Sequence, residues 1–155
     1  MKKILIALDY NPSAQKIAEA GHALSKALGA EVCLTHVIGD TAYYAMEYSP
    51  IMGYGGFNPV GAFNQAEDLK DEAAKFLAAA VDHLKGENIQ TAVLEGQPSD
   101  AILEYASSWK ADLIVMGSQN HSGLEKLIMG DVTASVLKRS RIPMLIIPIG
   151  REGKE

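Results

Sequence analysis

The chain has 155 residues and a mass of 16.6 kDa, the size of one ordinary domain, which buries enough surface to fold without a metal or disulfide staple. Lys and Arg total 14 against 19 Asp and Glu, a formal net charge of −5, whereas nucleic acid and anionic membranes attract clustered basic charge. With 1 cysteine there is no internal disulfide, the chain opens straight into a strand-like run instead of a secretory leader, and no apolar run approaches the ~20 residues that cross a bilayer. The expectation is a cytoplasmic domain over residues 1–150 with a polar tail at 151–155 and no nucleic-acid or membrane partner.

Lys3-Ile4-Leu5-Ile6-Ala7-Leu8 is a short continuous apolar run, the pattern of a strand buried on both faces. Asp9-Tyr10 follows, then Asn11 as a helix cap and Pro12 at the first helical position. Ile17, Gly21, Leu24 and Leu28 recur at helical spacing, and Gly29 stops that helix. Glu31 to Ile38 forms a second strand, completing a βαβ unit. Residues 39–65 read as an insert rich in aromatics (Tyr43, Tyr44, Tyr48, Tyr54, Phe57, Phe63) and glycines, open to readings as a plain loop, a lid or an association surface. Asn64-Gln65-Ala66-Glu67 resembles a capping box for a long helix with Leu69, Ala73, Phe76, Leu77, Ala80 and Leu84 on one face, closed by Gly86.

Ile89 to Leu94 is a third strand, and Gly96-Gln97-Pro98-Ser99 turns into a helix carrying Ile102, Leu103, Ala106 and Trp109. Asp112 to Met116 is a fourth strand. Gly117 to Gly130 is a loop region with a second capping box at Ser122 to Glu125, followed by a helix from about Val132 to Ser140 and a fifth strand from Pro143 to Ile147. This alternation predicts an α/β fold, a doubly wound parallel sheet with helices on both faces.

In such a sheet the ligand sits beyond the carboxyl ends of the strands. That places attention on Ala7-Leu8-Asp9, on Val37, and on Met116-Gly117. Asp9 reads either as a surface acid beside a helix start or as an acceptor for a ribose hydroxyl or a base amino group. Gly117 permits close backbone approach, and Gly130 stands at a helix start whose free N–H groups favour phosphate.

Several segments together resemble the universal stress protein family. They are Lys2 to Asp9, His36-Val37, Gly96-Gln97-Pro98, Ala111 to Ser118, Gly130-Asp131-Val132-Thr133 with Val136, and Ile142 to Ile146. The resemblance implies a five-stranded parallel, Rossmann-like sheet of strand order 3-2-1-4-5 and a noncatalytic stress-response regulator. It implies an adenine nucleotide, ATP or AMP, with Mg accompanying ATP. It also implies a homodimer through the last strand, Met144 to Ile147, where Pro148 suits a sheet edge. By this analogy Ala7, Leu8, Asp9 and Val37 surround adenine and ribose, while Met116, Gly117, Asn120, Gly130, Asp131 and Val132 surround ribose and phosphates.

The ATP-binding pattern of the family is Gly, two residues, Gly, nine residues, Gly, then Ser or Thr. Here Asn120 replaces the second glycine and Asp131 the hydroxyl residue. Asn tolerates the left-handed turn. Asp131 reads as a helix cap that competes for the phosphate's N–H groups and repels phosphate, by about 4 kcal/mol at ~4 Å and an effective dielectric of ~20, near a thousandfold in affinity. Two outcomes stay open: AMP or adenosine binding that outlasts ATP binding, or a dimeric interaction protein without nucleotide.

Rival chemistries find little support. There is no Walker-type phosphate loop. The stretch Asp9 to Pro12 lacks the His-rich or Ser-Gly-Gly signature of related adenylating enzymes, and Ser118, His121 and Asp131 lack a nucleophile elbow. His22, His36, His83 and His121 show no metal-ligand spacing. His36 reads as a satisfied structural histidine, Cys33 as a small apolar residue, and Lys138, Arg139 and Arg141 as complements to a helix dipole.

Overall fold

The computed structural model describes residues 1–10, 12–39, 59–118 and 130–149, with the side chains of 59–66 outside that description. Its elements in chain order are β1 (Lys3–Ala7), α1 (Ala14–Leu28), β2 (Glu31–Ile38), α2 (Pro59–Leu84), β3 (Ile89–Glu95), α3 (Pro98–Trp109), β4 (Leu113–Gly117), α4 (Asp131–Arg139) and β5 (Met144–Ile147). The strands form one parallel sheet in the order β3-β2-β1-β4-β5. This is the expected doubly wound topology.

The apolar runs become central strands because both of their faces are covered. Ile4, Ile6 and Leu8 pack with Val32, Leu34, Val115 and residues of α1 and α2 on one side. Leu5, Cys33, Ile114 and Met116 pack with Ile102, Ala106 and Val136 of α3 and α4 on the other. Each fully buried Ile, Leu or Val contributes about 1.5–3 kcal/mol of transfer free energy. On the α1 side, Gly21 lets the helix descend onto the sheet: a Cβ there would lie 2.4 Å from Ile6 Cδ1.

Several boundaries differ from the sequence expectation. Helix α1 begins at Ala14 with Ser13 at its N-cap, so Pro12 lies in the turn before it; the preset φ of proline suits a turn as well as a first helical position. Asn11 lies outside the described residues. Leu28, on the expected apolar stripe, is exposed. Gly29 ends α1 with a φ of 67°, as expected. Helix α2 starts at Pro59, which places Asn64 inside the helix and shortens the insert; a proline has no N–H to satisfy, so it opens a helix as readily as a capping box does. At the other end the left-handed residue is Lys85, φ 53°. Gly86 instead makes room for His22, whose Nε2 would sit 2.3 Å from an added Cβ. Insert residues 40–58, the capping box at Ser122 to Glu125, and the tail at 151–155 lie outside the described residues.

Arg139 has a partner more specific than a helix dipole. Its guanidinium donates to Asp100 Oδ1 and to the buried Ser99 hydroxyl, both at 2.8 Å, tying α4 to the first turn of α3. Cys33 packs apolar, as expected, and burial pushes its thiol up. Its neighbour Tyr105 is pushed up to about 12 by burial and by Cys33.

At the amino end of the sheet, Asp112 joins β4 to β1. Its carboxylate accepts the amides of Lys2 and Lys3 at 2.8 and 3.0 Å, and its own amide donates to the Lys3 carbonyl at 2.7 Å. The Lys2 amide, then the Lys3 amide, hold the Asp112 carboxyl below its usual range. The folded value is the lower one. The stabilisation is therefore complete above the unfolded pKa near 4 and is lost as pH falls through the folded value. Urea titrations across pH 2–6 should show Asp112→Asn less stable than wild type at pH 6, with the difference shrinking below about pH 4. A constant difference would show that the carboxylate's charge contributes nothing.

Candidate functional site

The candidate site lies where β1, β2 and β4 end, beside the point at which the strand order turns back. Ala7, Val37, Met116 and Val132 come together on the α3/α4 face and form an apolar wall there. Leu8 does not join them: its side chain is buried in the core on the opposite face. The alternation of a strand forces this, since successive side chains point to opposite sides. Asp9 is half-buried one residue further on. Asn120 lies outside the described residues.

The phosphate end of the predicted site is stitched to the sheet. The Ser118 amide donates to the Ile147 carbonyl at 3.0 Å, extending β4 alongside β5. The Ile149 amide donates to Ser118 Oγ at 2.8 Å. Across the loop, the Gly130 amide donates to the Ser118 carbonyl at 2.9 Å, and the buried Thr133 hydroxyl donates to the Gly117 carbonyl at 2.8 Å. The start of α4 is thereby held against the end of β4. Gly130 is thereby held beside the end of β4.

Two expectations about these residues change. Gly117 does serve close approach, but of protein: an added Cβ would lie 2.5 Å from Ile17 Cδ1 and 2.8 Å from Ile149 Cδ1. Asp131 is not the cap of α4. Gly130 is the N-cap, with φ −65° and ψ 162°, and its carbonyl accepts the Ala134 amide that closes the first turn. Asp131 is the first helical residue and exposed. The Gly130 amide is committed to Ser118, while the amides of Asp131, Val132 and Thr133 precede the helical ladder, the donors that a helix start turns towards an anion.

Thr133 and Ser118 are the residues that motif reasoning undervalued. Thr133 shares the buried stripe of α4 with Val136, and a polar residue on such a stripe is the signal that it bonds to something buried. His36 is satisfied, as expected, through Nδ1 and the Leu8 carbonyl at 2.8 Å. At the opposite, amino end of the sheet lies a groove of about 610 Å³ bordered by Lys26 and Lys85 and by Glu31 and Glu87. Its charges balance in sign and favour no ionic ligand. Among the described residues no group of three or more His, Cys, Asp or Glu is placed to hold a metal ion, and no helix is long and apolar enough to cross a membrane.

The stitch should be measurable. Thr133→Val keeps shape but strands the Gly117 carbonyl in a buried position, at a cost of about 1–3 kcal/mol. Urea unfolding should report that loss. An unchanged midpoint would mean that the bond contributes nothing to folding.

Comparison with known proteins agrees with this architecture. The sequence model of the universal stress protein family matches residues 1–148. Universal stress protein MJ0531 of Methanocaldococcus jannaschii is 32% identical over 151 residues, covering 94% of this chain and 81% of that protein. The solved structure of the hypothetical protein MJ0577 superposes with a TM-score of 0.75 at 24% identity, covering 97% of this chain and 98% of that one. The universal stress protein from Archaeoglobus fulgidus in complex with dAMP superposes with a TM-score of 0.62 at 19% identity, covering 95% and 98%. With residues 1–148 matched by the family's sequence model and its fold matched in space, this chain belongs to the universal stress protein family.

Proposed function

We propose that this protein is a noncatalytic regulator that binds an adenine nucleotide at the carboxyl ends of β1, β2 and β4, with AMP or adenosine favoured over ATP. The observation that carries the reading is that Ala7, Val37 and Met116, near the carboxyl ends of β1, β2 and β4, pack in one apolar cluster with Val132, two residues after the Gly130 N-cap. An apolar wall suits a base, and the amides at the helix start suit a phosphate. A family member complexed with dAMP supports the ligand class. Asp9, Gly117, Asn120 and Asp131 complete the proposed contacts, with the Leu8 backbone beneath Asp9 and Mg accompanying ATP if ATP binds.

Asp131 sets the preference among phosphates. Its exposure moves the repulsion from the ~4 kcal/mol of a dielectric near 20 towards the ~1 kcal/mol of bulk water at the same ~4 Å. The penalty is therefore nearer tenfold than a thousandfold. It grows with each added phosphate, so it falls hardest on ATP.

A second reading rests on β5. Every residue of that edge strand, Met144 to Ile147, is only half-buried, and an unpaired edge invites a second copy. We propose a homodimer through this strand, acting with nucleotide or without it.

Calorimetric titration with AMP, ADP and ATP in the presence of Mg tests the first reading. Affinity should fall from AMP to ATP, and Asp131→Ser should raise ATP affinity about tenfold, roughly 1.4 kcal/mol, while leaving AMP affinity nearly unchanged. Tightest binding of ATP by the wild type would overturn the repulsion argument, and no binding of any of the three would leave the dimeric interaction protein. Sedimentation equilibrium at micromolar concentration should give a dimer mass, and a monomer would refute the edge pairing.

A further inference from the structure

We propose that His36 is a positioning residue for nucleotide binding: by clamping the Leu8 carbonyl it sets the direction in which Asp9 faces the ligand. The inference rests on the nucleotide reading above, with Asp9 as a ligand-contacting carboxylate.

The geometry is specific. A carbonyl only accepts, so the Nδ1 of His36, 2.8 Å from Leu8 O, carries the proton. On its other side Leu8 is held by its amide, which donates to the Thr35 carbonyl at 2.8 Å. The Leu8 side chain is 4% exposed and locked in the core. The Leu8 carbonyl and the Asp9 amide belong to one planar peptide unit, so fixing the carbonyl fixes the plane from which the Asp9 Cα departs. The imidazole thus bonds that plane directly, beside the last ladder bond of β1.

The imidazole is itself immobilised. His36 is 6% exposed. Its ring centroid lies 4.3 Å from that of Tyr10, with the planes tilted by 37°, and 5.6 Å from that of Phe76 at 70°. Tyr10 and Phe76 meet edge to face at 4.9 Å. The ring is therefore packed from α2 and from the residue after Asp9, and its proton is aimed by that packing. Strand alternation gives the neighbouring Val37 the opposite face, where it joins the apolar wall. Adjacent residues of β2 thus serve the same ligand, Val37 by contact and His36 through the backbone of β1.

Two substitutions separate the proton from the ring. His36→Phe keeps a ring between Tyr10 and Phe76 and loses the donor. His36→Asn loses the ring and keeps an amide N–H two bonds from Cβ, where Nδ1 stood. The measurements are AMP affinity by calorimetry and thermal stability, on the full chain, for these variants, Asp9→Asn and the double variant Asp9→Asn/His36→Phe. His36→Phe should weaken AMP binding about tenfold, Asp9→Asn should weaken it as well, and the double variant should bind no worse than Asp9→Asn alone, because His36 acts through Asp9. His36→Asn should bind within about threefold of wild type while melting lower than His36→Phe. Affinity that follows thermal stability across the series, wild-type binding by His36→Phe, or additive losses in the double variant would overturn the positioning role while leaving nucleotide binding intact. A wild-type protein that fails to bind AMP, or an Asp9→Asn variant that binds it normally, would overturn the underlying reading and this inference with it.

Discussion

Burial of β1, β2 and β4 on both faces is the constraint from which the rest of this structure follows. A parallel sheet has no wet side, so helices must cover both faces, and the backbone must be thinned wherever they come close. Gly21 answers this on α1, where Ile6 occupies the space of a missing Cβ, and Gly117 answers it on β4, where Ile17 and Ile149 do the same. The covered faces leave only the strand ends for chemistry. Recognition at the carboxyl ends would therefore depend on the backbone and on the side chains past the last ladder bonds.

The strand ends at the candidate site are held by different kinds of bond. The end of β4 is fixed through Ser118 to β5 and through Thr133 to α4. At the end of β1 the Leu8 amide donates to the Thr35 carbonyl and the Leu8 carbonyl accepts from one imidazole. The polar groups concerned are mostly buried, where an unsatisfied partner is costly, so each bond holds its segment in one arrangement. A ligand seated across both ends would meet surfaces already organised before it arrives.

Much of this was legible in the amino-acid sequence, for identifiable reasons. The three central strands stand out because burial on both sides writes itself as uninterrupted runs such as Ile4-Leu5-Ile6 and Leu113-Ile114-Val115-Met116. The position of the site follows from the strand order and needs no side-chain detail. Helix starts were less legible, since Pro12 and Asn64 each suit more than one local geometry and the choice is made by tertiary packing. Gly117 shows the limit clearly. A glycine announces that space is needed but not on which side, and here the space belongs to two isoleucines. Thr133, Ser118 and Arg139 find partners remote in sequence or fixed by packing, so residue spacing alone carries little trace of them.

The bond between the Gly130 amide and the Ser118 carbonyl has a consequence for how this protein tolerates change. It closes residues 119–129 at their base, so their ends are brought together by the sheet and by α4 whatever lies between. The entropic cost of a longer closed loop rises slowly, by about 0.6 kcal/mol for each doubling of its length. Added length between the two anchors therefore costs little in closure entropy, because the ends stay joined by the Gly130–Ser118 bond whatever the number of residues between them.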